Sequence, residues 1–272
     1  MRSALYVPAN RPELFDKALA GPADVVLFDL EDAVPLPDKR AARTEILAWL
    51  RTTTAAPQRV WVRVNAGELG REDLYAVAAA GVSTICLAKT ESAEHVRAAT
   101  AIVAARETRP GRVTVCPLLE SAAAVLAARE IAEAPRVRRL QLGEADLRGD
   151  TGIDPGPGDF EMLAIRTQIV LASAAAGIEP PLGPVSTDFS DPEALRSSTR
   201  ALARLGFRGR ACIHPAQVPI VNEVFLPSPE QLAAARALVD RFEQARGGVV
   251  LDADGRMVDR AVVRAARRLL DG

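Results

Sequence analysis

The residues of this chain best able to do chemistry are charged groups that directly follow apolar runs. They are Asp29, Glu31 and Asp32, then Arg63, Lys89, Glu120, and Glu144 and Asp146, with Asp188 and His214 further on. Glu120 follows Leu118-Leu119, where a charge is costly unless it is paired, so it is expected to meet a metal, a substrate or a cation. Two rim carboxylates with no soft ligand nearby suit a hard oxygen-seeking cation. Mg²⁺ fits best, with Mn²⁺ as a substitute, because such ions commonly take one or two carboxylates and fill the shell with water and substrate. Arg63 offers a planar fork for a substrate carboxylate, which makes a site for polarising a carbonyl beside a carboxylate.

Each residue also has a structural reading. Asp29, Glu31 and Asp32 could cap the next helix, and so could Asp146 in its Gly-flanked loop. Glu120 could start a helix in a salt bridge, and Arg63 could fill a barrel as an ion-pair partner. His214 reads as structural. Cys86, Cys116 and Cys212 lie far apart in apolar runs and read as reduced core thiols.

Other chemistries lack their residues. Only His95 and His214 are present, with no Cys pair at chelating spacing, which disfavours zinc. There is no G-x-S-x-G elbow, no Walker loop and no G-x-G-x-x-G. The 34 basic and 35 acidic residues nearly cancel to −1, so no basic field exists for nucleic acid or an anionic membrane. Apolar stretches stop short of the ~18–20 residues of a membrane span. Met1-Arg2-Ser3-Ala4-Leu5 has no signal-peptide core, so a cytoplasmic protein is expected.

The elements that must position these residues alternate along the chain. Short β-branched runs at Leu5–Pro8, Val25–Leu30, Val60–Val64, Thr84–Ala88, Val113–Leu119, Arg139–Gly143, Leu182–Thr187 and Arg210–His214 are separated by helical stretches. Eight near-continuous apolar strands predict an α/β fold, a (β/α)8 TIM barrel, whose chemistry sits at the C-terminal ends of the strands. The length of 272 residues and the 49% hydrophobic content suit that size. Residues 1–226 are expected to form the barrel and 227–272 an extension of helix, hairpin and helix. Ser228-Pro229-Glu230-Gln231 reads as a capping box, Asp191-Pro192 as a helix start, and 247–258 as a hairpin on an Asp-Gly turn.

Seven motifs in fixed order carry a family resemblance. They are Ser3-Ala4-Leu5-Tyr6-Val7-Pro8-Ala9-Asn10-Arg11-Pro12, Asp29-Leu30-Glu31-Asp32-Ala33-Val34, Val62-Arg63-Val64-Asn65 and Leu119-Glu120-Ser121, followed by Gly143-Glu144-Ala145-Asp146-Leu147, Ile213-His214-Pro215-Ala216-Gln217 and Gly255-Arg256-Met257-Val258-Asp259. Over nearly its whole length the chain resembles stand-alone relatives of the citrate lyase β subunit, in the aldolase/citrate lyase family that includes malyl-CoA and citramalyl-CoA lyases. The resemblance implies a (β/α)8 barrel, usually a homotrimer, that cleaves or forms the C–C bond of a 3-hydroxyacyl-CoA thioester with Mg²⁺. By resemblance Glu120 and Asp146 are the metal carboxylates, and Arg63 stabilises carbonyl and enolate oxygens. Asp259 is the acid/base supplied by a neighbouring subunit, and Glu31 and Asp32 form the carboxylate motif beside the metal. The chain departs from the pattern at Ala88, where Pro is frequent, and at Arg260, where a small residue is common. His214 replaces the Asn of true citrate lyase β subunits.

The expected reaction is a retro-Claisen cleavage to an oxo-acid and acetyl-CoA, with small molecules as the partners. Three rivals stay open. Lys89, one of only three lysines, could form a Schiff base. A metal aldolase on free oxo-acid adducts would need no CoA. A complex-forming subunit would be inactive alone. For the CoA phosphates, Arg11, Lys39 and Arg43 are basic candidates near the rim.

Overall fold

The computed structural model describes residues 1–245, 250–251, 255 and 257–271. They form two compact units, Met1–Phe225 and Leu226–Gly272.

The first unit is an α/β fold built on seven parallel strands: β1 (Ser3–Pro8), β2 (Val25–Asp29), β3 (Val60–Val64), β4 (Thr84–Leu87), β5 (Thr114–Leu119), β6 (Gln141–Leu142) and β7 (Arg210–Cys212). Their order is β6-β5-β4-β3-β2-β1-β7. Helices α1 (Phe15–Ala20), α2 (Lys39–Thr52), α3 (Gly67–Ala78) and α4 (Ala93–Arg106) fill the first crossovers. Next come α5 (Ala122–Leu126), α6 (Ala128–Ala132), α7 (Glu144–Thr151), α8 (Leu163–Ala175), α9 (Pro192–Leu205) and α10 (Gln217–Phe225).

The strand expected over Leu182–Thr187 shrinks to two residues. Leu182 bridges Gln141 and Gly183 bridges Arg210, both in parallel sense, so this short segment links the two edge strands. Pro184 has no N–H to donate, and the ladder stops before it.

Strand side chains alternate between two apolar layers, which explains why the sequence reads as nearly unbroken hydrophobic runs. Val26, Phe28, Val60, Val62, Ile85 and Val115 pack in the layer shared with the helices. Val25, Leu27, Trp61, Cys86, Cys116 and Leu118 form a second cluster with Ala4, Leu182 and Ala211. Following the second set by steps of two toward the C-terminal ends leads from Leu27 to Asp29, from Trp61 to Arg63 and from Leu118 to Glu120. The polar residues therefore continue the inner rows. All three cysteines are buried and free.

The second unit contains α11 (Pro229–Gln244), an antiparallel pair β8 (Val250–Leu251) and β9 (Met257–Val258), and α12 (Arg260–Asp271). The capping box at Ser228 and Gln231 is formed, and Ala235 and Phe242 are buried on one face of α11. Val263 of α12 packs with Phe242 and Val258. Of the hairpin expected over 247–258 on an Asp-Gly turn, residues 247–249, 252–254 and Arg256 lie outside the described residues.

Candidate active site

A cavity of about 390 Å³ opens where the strands end, lined among others by Tyr6, Asp29, Asp32, Arg63, Glu120, Gln141, Gly143 and Asp146. Asp29 and Arg63 are register partners on β2 and β3. Their side chains meet as a two-pronged pair, Nε to Oδ1 at 2.7 Å and Nη2 to Oδ2 at 2.6 Å. Asp29 also accepts the N–H groups of Glu31 and Ala33 and so shapes the loop after β2. Burial would lower the affinity of Arg63 for its proton, but the bonds to Asp29 outweigh it and hold the guanidinium above its ordinary range. Its Cζ stands 4.9 Å from the Tyr6 ring centroid. Gln141 Nε2 in turn donates to the Tyr6 hydroxyl at 2.8 Å.

Glu31 is buried, 3.1 Å from Arg63 Nη1, and its Oε1 accepts from Lys89 Nζ. Burial raises its pKa. The more exposed Asp32 lies 3.4 Å from Arg63 and 3.6 Å from Lys89. Burial would raise Asp32, but the hydrogen bond with Glu31 and the two cations hold it below the usual range. On α7, Glu144 makes two bonds to Arg166 of α8, at 2.6 and 2.8 Å.

These pairings account for the cations. Arg63 serves Asp29 and Glu31, Lys89 serves Glu31, and Arg166 serves Glu144 and Asp159. Glu120 and Asp146 have no salt-bridge partner among the described residues. Glu120 is only 5% exposed and its pKa is raised to about 8, first by burial, with Asp146 and Glu31 adding to the effect. Among the described residues its close donor is the backbone N–H of Lys89. A Cβ on Gly143 would stand 2.9 Å from Glu120 Cβ and 3.0 Å from Oε2, so this glycine leaves room for the carboxylate. The donor set is a pair. Among the described residues no group of three or more His, Cys, Asp or Glu could hold a metal. Two carboxylate donors with no cationic partner among the described residues fit a hard divalent cation that keeps several water or substrate ligands.

Arg63, Asp32, Glu120 and Asp146 line one cavity with Asp29, while Glu31 adjoins through Arg63 and Lys89. Other rim residues have structural tasks. Asn65 donates to Asp73, Ser121 caps α5, and Asp188 accepts from Ser190. His214 is exposed, stacked on Phe189 at 5.0 Å, and accepts the N–H of Ala216. Lys39 Nζ donates to the carbonyls of Leu30 and Glu31, and Arg43 is held by Glu72 and Asp73. Both are therefore engaged internally, and Arg11 pairs with Glu13. Neither Tyr6, which lies within the first motif, nor Gln141 is marked by the sequence as a site residue, although both stand on strands whose ends bear the site. Arg166 gives no local signal at all. Asp259 lies in the second unit, where it accepts the N–H groups of Ala261 and Val262 at 2.8 and 3.0 Å and caps α12.

Comparison with known proteins matches residues 2–215 to the model of the HpcH/HpaI aldolase/citrate lyase family. The chain belongs to this family. It is 37% identical over 273 residues to a citrate lyase subunit beta-like protein of Mycobacterium tuberculosis, covering 98% of this chain and 93% of the relative. An L-malyl-CoA/beta-methylmalyl-CoA lyase of Cereibacter sphaeroides is 36% identical over 293 residues, covering 97% of this chain and 92% of that one. Among solved structures, CitE of Mycobacterium tuberculosis in complex with magnesium, acetoacetate and coenzyme A matches with a TM-score of 0.81 at 35% identity. That match covers 99% of this chain and 97% of the other. The family, with its citrate lyase β subunits and malyl-CoA lyases, makes the chain a member of a lyase lineage. No described helix is long and apolar enough to cross a membrane.

Proposed function

We propose that the chain is an Mg²⁺-dependent carbon–carbon lyase acting on a 3-hydroxyacyl-CoA thioester of the citryl-, malyl- or citramalyl-CoA type, releasing an oxo-acid and acetyl-CoA. The observation that carries this reading is the pair Glu120 and Asp146, beside Arg63 in one cavity and without a cationic partner among the described residues. The magnesium, acetoacetate and coenzyme A of the CitE complex are the ligand classes this cavity would take.

Glu120 and Asp146 would hold the cation, with Mn²⁺ as a substitute. When bound, it supplies Lewis-acid charge to the substrate's hydroxyl and carboxylate oxygens. Asp32, its pKa held below the usual range, is placed to take the hydroxyl proton, and Glu31 Oε2 accepts the backbone N–H of Asp32 and so fixes the loop that carries it. The C–C bond then breaks, its electron pair passing to the thioester as an enolate. Beyond its fork on Asp29 and the contacts of Nη1 with Glu31 and Asp32, Arg63 keeps a second N–H on Nη2, which stabilises the enolate oxygen. Asp259 of a neighbouring subunit protonates the enolate carbon. In the condensing direction it takes a proton from acetyl-CoA.

This reading treats residues 1–226 as a (β/α)8 barrel whose eighth position is Leu182 and Gly183. Residues 227–272 form the extension that completes a neighbour's site in a cytoplasmic homotrimer. A Schiff-base aldolase is disfavoured because Lys89 is tied to Glu31 and Asp32 and its pKa is raised. The test follows oxo-acid and free thioester from (S)-malyl-, (S)-citramalyl- and citryl-CoA with and without Mg²⁺. Cleavage of one thioester only with the metal is expected. Turnover of free hydroxy acids alone, or none of any substrate, would overturn the proposal.

A further inference from the structure

Lys89 touches two acidic groups through different atoms. Its backbone N–H donates to Glu120 Oε1 at 2.5 Å, and its Nζ donates to Glu31 Oε1 with Asp32 Oδ1 3.6 Å away. The residue adopts a left-handed backbone, φ +49°, which a long side chain seldom takes. Thr90, fully buried, holds the turn in place. Its Oγ1 donates to Leu87 O at 2.9 Å and its N–H to Leu118 O at 3.3 Å. A strained residue locked by a buried neighbour points to a geometric requirement at this position.

That requirement concerns Glu31. It is buried, its charge reaches Glu120, and its Oε1 is occupied by the Lys89 ammonium. Without the ammonium, Oε1 would have no donor among the described residues, since Arg63 Nη1 stands 3.1 Å from Oε2 instead, and Oε1 would be free to turn to a cation held by Glu120. A third carboxylate would then displace water from the coordination positions that substrate must enter.

We propose that Lys89 is a positioning residue that keeps Glu31 out of the cation's shell, confining the ion to Glu120 and Asp146 with its remaining positions open to substrate. The proposal rests on the cation reading above.

Mn²⁺ is the probe. Its affinity is measured by calorimetry and its coordinated waters by water-proton relaxation, with circular dichroism to verify folding. Lys89→Met should bind Mn²⁺ about tenfold more tightly, with one coordinated water fewer and lower turnover. Lys89→Arg should restore the wild-type values, and Lys89→Met with Glu31→Gln should return toward them. Glu31→Gln alone should leave the water count unchanged, which keeps the proposal testable if Lys89→Met does not fold. Unchanged affinity and water count in Lys89→Met, a change that survives Glu31→Gln, or a water gained in Glu31→Gln alone would overturn it. Absence of Mn²⁺ binding by the unaltered protein, or wild-type binding by Glu120→Gln, would instead overturn the cation reading.

Discussion

Glu144 and Asp146 stand two residues apart on the first turn of α7, and only Glu144 is neutralised, by the two bonds from Arg166. The pair ties α7 to α8 and leaves Asp146 free of ion pairs among the described residues. Asp146→Asn should therefore abolish tight Mg²⁺ binding with little change in unfolding free energy. Arg166→Met, which strands a largely buried carboxylate, should cost about 3 kcal/mol in urea denaturation. Equal stability losses in the two variants would contradict this division of labour.

Arg63→Lys keeps the charge but cannot reproduce the fork on Asp29 or its spare donors. A fall in kcat of about 10²-fold is expected, on the scale of a lost oxyanion donor. A raised KM with unchanged kcat would show instead that Arg63 binds ground and transition state alike.

Glu107 gives a pH dependence of stability. Its carboxylate takes two bonds from Arg136 and the N–H groups of Gly111, Arg112 and Val113, closing the loop before β5. The hydrogen bonds from Arg136 lead in lowering its pKa from 4.5 to about 2. A depressed carboxylate contributes stability above its unfolded pKa and loses it as pH falls, so this contribution should disappear between about pH 4.5 and 2. Glu107→Gln should be less stable at neutral pH and should lack that part of the acid slope. A wild-type acid slope in this variant would rule the assignment out.

Asp259 caps α12, and a shared site would give it a second task. If it serves a neighbouring subunit, Asp259→Ala and Glu120→Ala proteins, each inactive, should regain partial activity after subunit exchange. No recovery after verified exchange, or full activity of Asp259→Ala alone, would leave Asp259 with its capping role only.

Much of the framework was legible in the residue order because it depends on local rules. The caps at Asp191 and Ser228 follow from side-chain oxygens beside free helix N–H groups. The rim is visible because strands alternate with a period of two, so Asp29, Arg63 and Glu120 continue buried rows and end them with charge. Leu182–Thr187 misled, since its apolar start resembles a strand while Pro184 ends the ladder after two residues.

The division of partners was settled only in three dimensions. Sequence alone presents Asp29, Glu31, Asp32, Glu120, Glu144 and Asp146 as carboxylates after apolar runs and assigns no cation to any of them. Folding brings Arg63 from the next strand, Lys89 from two strands away and Arg166 from the next helix to neutralise all but Glu120 and Asp146 among the described residues. Which carboxylates stay unpaired depends on the distances between groups far apart in the chain, because Coulomb attraction and hydrogen bonding act across space and not along the backbone.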